Sequence, residues 1–278
     1  MTIQVETREG VALLTLDNPP VNSLGAATRQ SLHDAVSAAL ADPAIVAVVL
    51  AGAGKLFCGG AEIREFNTPL STRQPTLRDV IRLLETARKP IVAAIHGMAL
   101  GGGLELALGC HYRVADAAAT LGLPEVKLGI LPGGGGTQRL PRAIGVARAL
   151  DMIVIGDPID ARTAAQWGLV DAVFDDGLAE QAIAYARRQV GQTLQDRVLG
   201  TRRAAVPADP HVYEQARALG ARRYRGCVAP AACVDCVAQA VQADIDAGLA
   251  YERQRFVELL EGPQSRAQRI CSLPSARR

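Results

Sequence analysis

Residues 89–115 read KPIVAAIHGMALGGGLELALGCHYRVA. Lys89–Gly97 is an apolar, β-branched run that ends in turn residues, the pattern of a strand. Gly101–Gly103 then open an apolar stretch that carries one carboxylate, Glu105. His111–Ala119 reads as a strand again. Strand, glycine turn, helix and strand in succession is an α/β signature. It also sets the most flexible backbone in the chain against an acid in apolar surroundings.

The same alternation extends outward. Val11–Asp17, Ala44–Gly52 and Gly168–Asp176 read as further strands, and their near-continuous apolar character predicts cover on both faces. Between them, 25–42, 75–88 and 142–156 show apolar spacing of three and four, which predicts helices. After Gly177 the pattern is helical throughout. A change near residue 195 predicts a core over 1–195 and a helical section over 196–278 that completes or covers it.

The chain has 278 residues, 49% hydrophobic, with net charge +2 and 4% aromatic residues. That balance supplies neither a basic stripe nor stacking platforms, so it argues against a nucleic-acid partner. The N-terminus MTIQVETREG has no apolar signal core. No apolar run approaches the roughly 20 residues of a membrane helix. The six cysteines form no regular framework, which together with these absences predicts a soluble protein of a reducing compartment, the cytoplasm.

Glycine clusters occur at 52–63, 100–106 and 131–142. The first is not a phosphate loop: Val49 stands at its first glycine position and Leu56 follows Lys55. None forms a strand–GxGxxG–helix unit with a downstream ribose acid. Gly101–Gly103 instead offer a helix start whose first N–H groups have no internal partner and whose dipole favours negative charge. The Gly60–Ala61 turn is a candidate for a second donor to the same oxygen. The alternative is that these glycines serve close helix–strand packing alone.

Glu105 lies among Leu104, Leu106 and Leu108, and Glu125 lies in LGLPEVKLGI after Pro124. The strand between them could return the chain so that the acids meet. Burial and mutual repulsion would then raise a carboxyl toward neutral pH, as proton transfer requires. The competing readings are helix N-terminal charge complementation for Glu105 and a salt bridge to Lys127 or Arg139 for Glu125.

The segments KLFCGGAEIREF, KPIVAAIHGMALGGGLELALGCHYRVA, LGLPEVKLGILPGGGGTQRLPR and GDPIDARTAAQWGLVDAV resemble the crotonase (enoyl-CoA hydratase/isomerase) superfamily, in order over roughly Val11 to Val173. The resemblance is closest to the N-terminal hydratase half of multifunctional fatty-acid β-oxidation enzymes. It implies a crotonase-like spiral of ββα units. It also implies hydration of trans-2-enoyl-CoA to 3-hydroxyacyl-CoA, with 3-to-2 enoyl isomerisation as a second activity. The Ala61 and Gly102 amides would form an oxyanion hole. Glu105 would activate water and Glu125 would deliver the proton. Ala61, Glu62, Ile63, Arg64 and Gly102 would line the substrate. No metal and no redox cofactor is implied, and the dehydrogenase that follows in such enzymes is expected to be absent. The partner is the acyl-CoA substrate, with a homo-oligomer built on trimers.

The chain departs from the family pattern where Glu62 stands in place of the usual Asp and where the C-terminal CoA-covering signature is not recognisable in ICSLPSARR; Leu123, two before Glu125, replaces the polar residue of single-domain hydratases and matches the multifunctional enzymes. Lys55, Arg64 and the C-terminal arginines are candidates for the CoA phosphates beside a plain solvated role. Other expectations are an isomerase, a thioester hydrolase or a non-catalytic binding relative. Cys233 and Cys236 stand at C-x2-C spacing without further ligands, which predicts a packed helix face rather than zinc. Cys58 reads as a small apolar filler, and His96 and His111 as satisfied core residues.

Overall fold

The computed structural model describes residues 2–272. Its strands are β1 Ile3–Arg8, β2 Val11–Leu16, β3 Ala47–Gly52, β4 Ile91–Ile95, β5 Met98–Leu100, β6 Tyr112–Asp116, β7 Thr120–Gly122, β8 Ile159–Asp160 and β9 Ala172–Phe174. Its α-helices are α1 Ala26–Ala41, α2 Pro69–Thr72, α3 Leu77–Glu85, α4 Gly102–Gly109, α5 Gly136–Ile144 and α6 Val146–Ile155. They continue with α7 Ala161–Gln166, α8 Leu178–Arg188, α9 Val212–Arg223, α10 Ala229–Gln242, α11 Ile245–Glu261 and α12 Pro263–Ser272.

Residue contacts divide the chain into two compact units, 1–122 with 158–202 and 123–157 with 203–278. The helices after residue 203 therefore group with 123–157, a segment that the sequence alone assigns to the core. The pairing follows from packing, because α10 lies against α5 and α6, and α11 against α5.

The first unit holds a six-stranded sheet in the order β1-β2-β3-β4-β6-β9, antiparallel only between β1 and β2. The five strands expected from apolar runs are β2, β3, β4, β6 and β9. Register aligns Leu13, Val49, Val92 and Tyr112 across four strands. These residues pack with Ala182, Ile183 and Ala186 of α8. Their neighbours Leu14, Leu50, Ala93 and Ile95, which point the other way, are buried too, so the sheet is covered on both faces as its composition requires.

A smaller sheet joins β5, β7 and β8. The chain passes twice from a long strand to a short one and then a helix: β4–β5–α4, and β6–β7 followed by a 3-10 helix at Pro124–Leu128. A third pass runs from β3 through Cys58, which bridges to Ala99 of β5, toward α2 and α3. This repetition is the expected ββα arrangement.

Two helical stretches are broken where the sequence pattern runs on. The 142–156 stretch divides at Gly145, whose φ of 85° ends α5 and starts α6. The C-terminal stretch divides between α10 and α11, where the Asp244 side chain accepts from the Ala247 amide as an N-cap. Among the described residues no helix is long and apolar enough to cross a membrane.

Candidate active site

In the first unit, the carboxyl ends of β3 and β4 open into the loops that carry Ala61 and Gly102. This is the end of a parallel sheet where ligands bind. The first loop turns back along β5: the Cys58 amide donates to Met98 O at 3.1 Å and the Leu100 amide to Cys58 O at 3.0 Å. Gly60 follows with φ of 107°, and a Cβ there would lie 2.8 Å from Leu100 O. The approach and the conformation both demand glycine.

Gly101, with φ of 53°, caps α4, and Gly102 is the first residue of that helix. The Cβ position of Gly102 lies 3.2 Å from the Ala61 nitrogen, and that of Gly103 lies 2.4 Å from Cys58 O. The two predicted donors are thus neighbours. Among the described residues neither the Ala61 nor the Gly102 amide donates to a protein acceptor. A pair of uncommitted N–H groups, one of them at a helix N-terminus, can take an oxygen that gains negative charge.

Glu105 stands in the first turn of the same helix and is 3% exposed. All eight residues of α4 are buried, so this carboxylate is held away from bulk water. Glu125 is 8% exposed and sits at the start of the Pro124–Leu128 3-10 helix, in the second unit. There it lies near enough to Cys233 that its charge helps to raise that thiol, after burial and Cys236. Lys127 pairs with Asp157 at 2.6 Å.

Glu62, Ile63 and Arg64 form a turn after the Ala61 amide. Glu62 caps the 3-10 helix Ile63–Glu65 by accepting from the Arg64 amide at 3.2 Å, and also accepts from the Arg64 guanidinium at 2.9 Å and from Ser23 Oγ at 2.9 Å. The Arg64 hydrogen bond holds its carboxyl below the ordinary value against an opposing burial effect. Arg64 itself is exposed and Ile63 half-buried.

Two supports escaped the sequence reading. The Glu65 carboxylate accepts from the Ala26 amide with both oxygens, at 3.0 and 2.9 Å, at the start of α1. Arg29, 6% exposed, donates to the carbonyls of Leu24, Leu70, Arg73 and Pro75 and so ties the 62–75 segment to α1. An arginine in a helix that reads as amphipathic gives no local sign of such a role.

The third glycine cluster serves packing. The Cβ position of Gly133 lies 2.6 Å from the Phe256 ring of α11. The Glu252 carboxylate from α11 accepts from the Thr137 amide at 3.1 Å and from Thr137 Oγ1 at 2.6 Å, at the N-terminus of α5.

Cys58 is fully buried, its Sγ donates to Asn22 O at 3.1 Å, and burial pushes its thiol up to about 12; this is the chemistry of a filler rather than a nucleophile. Cys233 and Cys236 are buried on α10. Among the described residues no group of three or more His, Cys, Asp or Glu could hold a metal. His111 is buried and accepts from the Ile91 amide through Nδ1 at 3.2 Å. His96 Nε2 is 3.2 Å from Gly54 O. Lys55 is exposed. Arg277 and Arg278 lie outside the described residues.

The enoyl-CoA hydratase/isomerase family model matches residues 6–209. A peroxisomal bifunctional enzyme of Danio rerio is 44% identical over 263 residues, covering 94% of the chain, which spans 36% of that enzyme's length. A probable enoyl-CoA hydratase of Bacillus subtilis (strain 168) is 42% identical over 173 residues, 60% of the chain and 67% of that protein. The solved enoyl-CoA hydratase of Bacillus anthracis superposes with a TM-score of 0.62 at 29% identity, covering 95% of this chain and 92% of that one.

Proposed function

The chain belongs to the enoyl-CoA hydratase/isomerase family, and from that premise we propose that it hydrates trans-2-enoyl-CoA thioesters to 3-hydroxyacyl-CoA. The observation that supports this reading is the proximity of two uncommitted amides, Ala61 and Gly102, beside a buried carboxylate on the helix that Gly102 opens.

In this reading the thioester oxygen lies between the two amides. Water attacks C3 while Glu105 takes its proton. The electron pair of the C2–C3 bond moves through the enolate, whose oxygen the amides hold. Glu125 gives a proton to C2. Addition to a conjugated thioester builds charge on that oxygen in the transition state, so donors aimed there lower the barrier more than they tighten ground-state binding. The 3-to-2 double-bond shift would use the same enolate, with one acid removing and the other returning a proton. No metal or redox group enters either sequence.

The test is the loss of conjugated absorbance when crotonyl-CoA is added. Glu105→Gln and Glu125→Gln are each expected to lower kcat by about 100-fold or more, the range of positioned acid–base catalysis. Full activity in either variant removes that residue from the mechanism. Product analysis from 3-enoyl and saturated acyl-CoA separates hydratase, isomerase and thioester hydrolase.

A trimer-based homo-oligomer is part of the same proposal, read by light scattering. So is a reducing compartment, which the free cysteines support. Cytoplasm follows from the sequence reading, and the relative named as peroxisomal favours an organelle; fractionation decides between them.

A further inference from the structure

Asn22 is a buried polar residue that the mechanism above does not use. It is 3% exposed and has φ of 52°, a left-handed conformation that asparagine tolerates. Its Nδ2 donates to the carbonyls of Ala53, Leu56 and Phe57 at 3.0, 2.9 and 3.3 Å. Its Oδ1 accepts from the Asn18 amide at 3.0 Å, and its carbonyl accepts from Cys58 Sγ at 3.1 Å. The flanking backbone continues the attachment: the Gly59 amide donates to Val21 O and the Leu24 amide to Gly60 O, both at 2.8 Å.

Residues 57–60 are thus held from two sides. On one side stand 21–24. On the other, the Phe57 amide donates to His96 O, and Cys58 exchanges bonds with Met98 and Leu100, in the segment that leads to Gly102. One side-chain amide gathers three carbonyls of the loop that ends at Ala61. Without it the Leu56 and Phe57 carbonyls lose this donor while still buried, and the loop must turn to find another. The Gly60–Ala61 peptide is held in turn by the Leu24 amide at Gly60 O, so the placement of residues 21–24 against 53–57, which the Asn22 side chain fixes, bears on the direction of the Ala61 N–H.

We propose that Asn22 is a positioning residue for the reaction: its side-chain amide sets the direction of the Ala61 N–H and thereby the strength of the oxyanion hole, without touching substrate. The inference rests on the hydratase reading for what the hole binds. A purely structural role would lower the folded fraction. A positioning role lowers the chemistry of the folded molecule, because a misaimed donor loses more against the charged enolate oxygen than against the neutral carbonyl.

The test compares the full chain with Asn22→Gly, which keeps the left-handed backbone and removes the amide, and with Asn22→Asp, which keeps the shape and removes both donors. Hydrogen–deuterium exchange of residues 53–62 is followed without ligand. Turnover of crotonyl-CoA gives kcat and KM. The infrared carbonyl stretch of bound crotonyl-CoA, labelled with carbon-13 at C1, reads the pull of the hole directly.

In both variants exchange at 53–62 is expected to rise. We expect kcat to fall about tenfold or more with KM within about threefold, and the red shift of the bound carbonyl to shrink. Unchanged exchange, or a carbonyl shift equal to that of the unmodified protein, overturns the proposal. A loss of kcat no larger than the loss of folded protein does so too. If the unmodified chain neither hydrates crotonyl-CoA nor shifts its carbonyl, the hydratase reading fails and takes the catalytic half of the inference with it. The exchange arm still shows whether Asn22 holds the turn.

Discussion

Gly103 shows how little room a single residue has beside the site. A Cβ there would lie 2.4 Å from Cys58 O, a backbone atom that cannot swing aside. Gly103→Ala is therefore expected to force α4 and the 58–61 turn apart and, on the proposed hydratase reading, to lower crotonyl-CoA hydration by about 100-fold or more, as loss of an oxyanion donor does. His111 makes a different prediction. Burial first, then the Arg113 charge, lowers its pKa to about 4. The unfolded chain therefore binds a proton on this ring between about pH 6.5 and 4 that the folded chain refuses. Stability is complete above that window and falls as pH drops through it, by up to about 3 kcal/mol. Urea midpoints at pH 7 and pH 5 check this, and His111→Gln, which keeps an acceptor for the Ile91 amide, is expected to flatten the difference.

At the scale of elements, the second unit is held by a contact between distant helices. Glu252 comes from the middle of α11 and is fully buried, yet its carboxylate serves as the anion at the N-terminus of α5. Glu252→Gln keeps an acceptor and removes the charge, and is expected to cost about 1–3 kcal/mol, read as a lower urea midpoint. The LPGGGGTQRLPR motif was legible as a glycine cluster, but nothing local says that Phe256 and Glu252 close over it. The strands show the same limit. β2, β3, β4, β6 and β9 are visible as apolar runs because both faces are covered. β1 is an edge strand with one well-buried residue, in the pattern Beeeei, so its sequence IQVETR carries no such signal. β5, β7 and β8 have two or three residues each, too few for any period to show.

Over the whole molecule, thiol reactivity reads how often the folded chain opens. Cys58, Cys110, Cys233 and Cys236 are buried and Cys227 is half-buried. Burial raises the four buried thiols, Cys58 and Cys110 to about 12. Mass spectrometry after brief labelling at neutral pH is expected to find Cys227 modified and those four protected until denaturant is added. Early modification of Cys58 would mean that the 58–61 turn opens locally. At this scale the sequence suggests a contiguous boundary near 195, and residue contacts group 123–157 with the C-terminal helices. A change of pattern marks where elements change, not which surfaces meet.

The sequence by itself determined the α/β class, the central strands, the glycine turns and the acids at 105 and 125, because each is written in neighbouring residues as apolar runs, φ requirements or charge in apolar surroundings. Only the tertiary structure decided that Ala61 and Gly102 lie side by side, that Asn22, Arg29 and Glu65 tie the 53–75 segment to residues 22–29, and that α11 caps α5. Those are contacts between residues far apart in the chain, and the hydrogen bonds that make them depend on distances in space that no local pattern encodes.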